Sequence, residues 1–159
     1  MKNTTIYLLL IMSSLFSQIQ RGGAPKFYDN RVADVTYISA NVESKNNRES
    51  HPMVFQFGDE YDFVIDVLEE SRIIESDNET TFILGIESSG AYGVGIHFSN
   101  FNLSVNSELF FYDEDRTFRL GAFNSENNKP DNSLSTTIIK GDKIILELTV
   151  PNNELDMID

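Results

Sequence analysis

The sequence predicts an all-β fold, an antiparallel β-sandwich of jelly-roll type behind an N-terminal signal peptide, on three observations. First, Phe82, Leu84 and Ile86 share one side of residues 81–87 at the two-residue period of a pleated strand, and Ile144, Leu146, Leu148 and Val150 repeat that period near the C-terminus. Second, clusters of Gly, Asn, Asp, Ser and Pro separate such runs at short intervals, and no helical period is sustained. Third, 12 phenylalanines and 6 tyrosines supply large rings suited to a half-buried sheet surface.

The elements follow in order. Residues 1–17 read as a secretory signal: Lys2 precedes the apolar run Ile6-Tyr7-Leu8-Leu9-Leu10-Ile11-Met12, and serines then offer a cleavage site, expected between Ser17 and Gln18. A membrane-spanning helix needs about 20 apolar residues, more than this run has. The chain is therefore expected to be secreted or held at the cell surface, with no membrane insertion after signal removal. Residues 18–50 are expected to form an extended arm broken by Gly22-Gly23 and Pro25, a first strand within 32–42, and a polar loop over 43–50. Residues 51–151 hold the sandwich core and 152–159 a C-terminal tail.

Within the core, Pro52 biases His51 toward extended backbone, and Val54, Phe55 and Phe57 continue as a strand. Residues 61–68 alternate as a strand does, with a helical turn over 68–72 as the competing reading. Residues 75–79 form a polar turn, small residues break the chain at 88–93, and the two-residue period returns over 92–98. Residues 109–112 and 117–121 flank Asp113-Glu114-Asp115-Arg116, a hairpin with an acidic tip. Residues 124–135 read as a long loop. Lys140-Gly141-Asp142 reads as a tight turn with glycine in its left-handed position.

A chain of 159 residues suffices for one domain with a real core. It has no cysteine, so burial and strand pairing must hold it without disulfides. The net charge is −13, and loss of residues 1–17 removes one lysine and no acid. Such a chain is ill suited to nucleic acid, whose phosphates call for a basic patch, and to an anionic membrane surface. It suits solubility outside a cell, a basic partner or calcium.

Candidate chemistry is sparse. A Ser-His-Asp enzyme needs a histidine beside a nucleophilic serine, and neither His51 nor His97 is followed by a Gly-x-Ser-x-Gly turn. No catalytic residue is assigned and no organic cofactor is expected. Asp113 and Asp115 are the calcium candidates, with Asp131 or Asp142 as further ligands, because hard cations want clustered carboxylates; a solvated hairpin tip explains the same residues. Asn78-Glu79-Thr80 and Asn102-Leu103-Ser104 match the glycosylation acceptor pattern. Tyr28, Tyr61 and Tyr92 are candidates for a sugar-stacking platform, with packing as the alternative.

Several segments then fall in a recognisable order: Gln18-Ile19-Gln20-Arg21-Gly22-Gly23-Ala24-Pro25, Gly85-Ile86-Glu87-Ser88-Ser89-Gly90-Ala91, Ile96-His97-Phe98-Ser99-Asn100-Phe101-Asn102-Leu103, Leu109-Phe110-Phe111-Tyr112-Asp113, Leu120-Gly121-Ala122-Phe123-Asn124 and residues 139–151. Together they resemble the N-terminal region of secreted bacterial lysyl-endopeptidase-like serine peptidases. In that family the region precedes a trypsin-like domain and is a pro-region or accessory β-domain, with the triad and paired cysteines downstream. The resemblance implies a non-catalytic part of a peptidase precursor that assists folding, inhibition or positioning of a cognate serine peptidase domain. A stand-alone glycan- or surface-binding module is the alternative.

Overall fold

The computed structural model describes residues 19–29, 35–40 and 64–158. Within them the fold is all-β, as the sequence predicts. Its elements are β1 (Tyr37–Ser39), α1 (Val67–Glu70), β2 (Arg72–Glu75), β3 (Glu79–Glu87), β4 (Gly93–Val94), β5 (His97–Phe98), β6 (Glu108–Asp113), β7 (Arg119–Phe123), β8 (Leu134–Ser135), β9 (Ile139–Lys140) and β10 (Lys143–Pro151). Two 3-10 turns, Ser125–Asn127 and Asn152–Met157, complete the list.

Six strands form one sheet in the order β1-β3-β10-β6-β7, with β2 also paired to β3. β1 and β2 share one edge of β3, along residues 85–87 and 80–83 respectively. β1 runs parallel to β3, so the sheet is mixed rather than wholly antiparallel. The spine is β3 against β10, nine pairs from Lys143↔Glu87 to Pro151↔Glu79. This register puts Leu146 opposite Leu84 and Leu148 opposite Phe82, so the predicted apolar rows meet on one face. Beside this sheet the described residues form two two-stranded ribbons, β4 with β9 and β5 with β8, not a second sheet equal to the first.

Both faces of the sheet are buried. On the first, Phe82, Leu84, Phe111, Ile144, Leu146, Leu148 and Val150 pack beneath Leu134 and Ile139 of the ribbons, with Val67, Leu68, Leu155 and Ile158 at the margin. On the second, Ile83, Phe110, Tyr112, Ala122 and Ile145 are covered by Phe27, Tyr28, Val35, Tyr37 and Ile74. Each fully buried Ile, Leu, Val or Phe among them contributes about 1.5–3 kcal/mol of burial, on the second face as on the first.

The expected extended arm is the cover of that second face. Its start also seals an edge. One residue of β6 lies opposite two of β7, a bulge at Gly121 and Ala122. Gly121 has φ +122°, and a Cβ there would sit 2.5 Å from the Leu109 carbonyl oxygen. The outward backbone of Ala122 then pairs with the arm: the Arg21 N–H donates to its carbonyl at 3.1 Å and its N–H donates to the Gly22 carbonyl at 3.2 Å. Pro25 is buried as the arm turns under the sheet.

Several expectations are corrected. Residues 64–66 are not strand, and a short helix follows them because the Asp66 carboxylate caps it, accepting from the Leu68 and Glu69 N–H groups at 2.9 and 3.1 Å. The single strand expected over 92–98 is split into β4 and β5. The loop over 124–135 contains a 3-10 turn and β8. The C-terminal tail is a 3-10 turn that returns Leu155 and Ile158 to the core. Gly141 has φ +108°, as a tight turn requires, but it links β9 to β10, which are not paired. The signal peptide, the polar loop over 43–50 and the extended segment over 51–58 lie outside the described residues.

Candidate functional site

An apolar cleft of about 160 Å³ opens at one end of the first-face core. Its floor is Leu109 of β6 with Leu146 and Leu148 of β10, residues that alternate inward with the strand period. One wall is residues 65–68, where the Asp66 cap turns the chain into α1 and leaves Val67 and Leu68 half-buried. The opposite wall is Phe98, Phe101 and Leu103, and Ile158 closes one end.

Asparagines hold that second wall. The Leu103 N–H donates to Asn128 Oδ1 at 2.9 Å, and Asn128 Nδ2 donates to the Leu103 carbonyl at 2.8 Å. Asn102 Nδ2 donates to the Met157 carbonyl at 3.2 Å, which ties the wall to the C-terminal 3-10 turn. That turn is anchored again at Glu154, whose carboxylate accepts from the Asn106 N–H and side-chain amide. Hydrogen bonds from Ser104 and Asn106 hold the Glu154 carboxyl below the usual carboxylate range.

The second face carries a buried acid. Glu147 is 1% exposed. Its Oε1 accepts from the Lys26 and Phe27 N–H groups at 2.6 and 3.3 Å, and its Oε2 accepts from the Tyr112 hydroxyl at 3.0 Å. Burial pushes the Glu147 carboxyl up, against the lowering effect of those donors. Burial and the neighbouring Glu147 charge likewise push the Tyr112 phenol up. The Tyr28 ring meets Tyr112 edge-on at 5.3 Å, and Arg119 lies over the Tyr28 ring. This arrangement fastens the arm to the sheet.

The residues singled out in the sequence are dispersed. His97 is exposed on β5, its Nδ1 2.8 Å from Ser135 Oγ across the ribbon. His51 and Tyr61 lie outside the described residues. Asp113 is buried and serves its own turn: its carboxylate accepts from the Thr117 and Phe118 N–H groups at 2.8 and 2.9 Å and from the Thr117 hydroxyl. Glu114 reaches Lys143 Nζ at 3.3 Å and the Tyr37 hydroxyl at 3.4 Å, and burial with that carboxylate moves the Tyr37 phenol up to about 12. Asp115 is exposed, and Asp131 accepts from the Ser133 N–H at 3.2 Å. Among the described residues no group of three or more His, Asp or Glu is placed to hold a metal ion.

Of the other candidates, Tyr28 is half-buried and Tyr92 is fully exposed. Asn78 sits exposed in the turn between β2 and β3, while the Thr80 hydroxyl is committed to Asn152 Oδ1 at 2.8 Å. Asn102 is half-buried between the cleft-lining Phe101 and Leu103.

Sequence reasoning missed both Glu147 and the cleft. The signal for Glu147 was the unbroken run Leu109-Phe110-Phe111-Tyr112, which marks a strand buried on both faces and so implies a cover for the second. The signal for the cleft was the Asp66 cap ahead of Val67 and Leu68. Among the described residues no helix is long and apolar enough to cross a membrane. Compared with known proteins, this chain matches no family model, no curated protein and no solved structure.

Proposed function

We propose that this chain is an exported, non-catalytic β-domain that binds a protein partner, the partner implied by the sequence resemblance being a secreted serine peptidase that it helps to fold, restrain or position. The observation that carries this reading is the apolar cleft, about 160 Å³ between residues 65–68 and Phe98, Phe101 and Leu103, over the buried Leu109, Leu146 and Leu148. The docked arm supports it too. The proposed cleavage between Ser17 and Gln18 would keep in the mature chain the arm whose Arg21 and Gly22 pair with Ala122 of β7. Mixing the mature chain with a mature lysyl-specific serine peptidase tests the proposal. A complex with slowed peptide cleavage or improved peptidase refolding is expected; no complex and no change in either rate would count against it.

One observation favours a second reading. Tyr92 is 99% exposed beside the β4–β9 ribbon, where the Ile138 side chain lies over Gly93 and Gly95, and such a surface suits a sugar ring. A glycan array that lights up with the mature chain, and not with Tyr92→Ala, would favour this module over the peptidase partner.

A further inference from the structure

We infer that the cleft takes a single aromatic or branched apolar side chain from a protein segment whose flanking residues are lysine or arginine; this inference rests on the partner-binding reading above. Size sets the anchor. The cleft holds about 160 Å³, and an apolar cavity of about 150 Å³ accommodates one benzene ring. Apart from Asp66 and Asn100 its lining is apolar, so an apolar side chain finds more partners within it than a charged one does.

Charge sets the flanks. Asp66 lies on one wall, with Glu69 and Glu70 exposed on α1 beyond it. Asp156 is exposed two residues before Ile158 at the other end. Among the described residues none that lines the cleft is basic, and the whole chain carries −13. Carboxylates on two sides of an apolar opening match several cations beside an anchor better than one small amine, which points to a polypeptide segment.

The chain contains no tryptophan, so indole emission reports on a peptide alone. Titrating the whole chain into amidated Lys-Lys-Trp-Lys-Lys at low salt should give a saturable blue shift. The Glu-flanked counterpart should bind about tenfold more weakly or worse. Leu68→Asp should abolish the shift. Because that variant also puts the core at risk, a second one, Glu69→Lys with Glu70→Lys on exposed positions, should weaken the basic peptide about tenfold and favour the acidic one. Equal affinity for both peptides, an unaltered basic-peptide titration in the charge-reversed variant, or phenethylamine binding as tightly as the peptide would each overturn the inference. If no peptide binds while the chain still captures the peptidase, the occupant is wrong and the partner-binding reading stands; if the peptide binds as expected and no peptidase complex forms, the occupant stands and the peptidase falls.

Discussion

The Tyr112 hydroxyl donates to Glu147 Oε2 at 3.0 Å across the diagonal of the β6–β10 pair, two residues away from its register partner Ile145. The other oxygen of the same carboxylate receives two backbone N–H groups of the arm. One buried acid thus links the sheet interior to the segment that covers it.

Removing that acid leaves three donors short of an acceptor. Glu147→Ala is expected to cost about 3 kcal/mol in urea unfolding, and Tyr112→Phe about 2 kcal/mol, because hydrogen bonds to charged groups exceed neutral ones. Hydrogen exchange should show Lys26 and Phe27 losing protection in both variants while β3 and β10 keep theirs.

The pH dependence has a definite sign. Burial raises the folded Glu147 carboxyl above its ordinary 4.5, so the folded state holds this proton more tightly than the unfolded chain. The stability this group contributes is fully present below 4.5 and is lost as pH rises through the folded value. Glu154 has the opposite sign: held low, it contributes stability above 4.5 that is lost as pH falls through its folded value. Unfolding free energies across this range should therefore show Glu147→Gln gaining on the parent as pH rises, and Glu154→Gln gaining as pH falls.

Gly85 is a packing glycine with ordinary backbone angles. A Cβ there would fall 2.5 Å from the Tyr37 ring and 2.8 Å from Val35. Gly85→Ala should push β1 off β3 at a cost of about 1–3 kcal/mol, read by thermal unfolding. Amides of residues 37–39 should exchange faster while the β3–β10 spine stays protected.

Asp66→Ala removes the cap of α1 and should cost about 1 kcal/mol in the same unfolding assay. Because α1 is one wall of the cleft, the variant should also weaken the proposed partner binding, whereas Asp66→Asn, which keeps an acceptor, should restore most of the stability.

Much of the fold was legible because residue chemistry and strand period agree. Phe82, Leu84 and Ile86 read correctly as one face of β3, and Ile144, Leu146, Leu148 and Val150 as one face of β10, while their pairing came only from the structure. The β6–β7 hairpin was legible from its turn, with Asp113 satisfying the backbone of Thr117 and Phe118. The second face was not, because Glu147, between Ile145 and Thr149 on its row, reads as a solvent residue until its backbone donors Lys26 and Phe27, more than 100 residues away in sequence, are known. The α1 region was ambiguous because four helical residues are too few to impose a period on Val67 and Leu68. The cleft is a property of three distant segments meeting, and no local pattern encodes it.

Hydrogen exchange of the mature chain, alone and with the mature lysyl-specific peptidase, tests the partner-binding role most directly. The expected result is new protection over residues 64–70 and 98–103, the two walls of the cleft, with residues 92–95 and 138–141 unchanged. Protection confined to the Tyr92 ribbon, or no change anywhere at saturating peptidase, would contradict it.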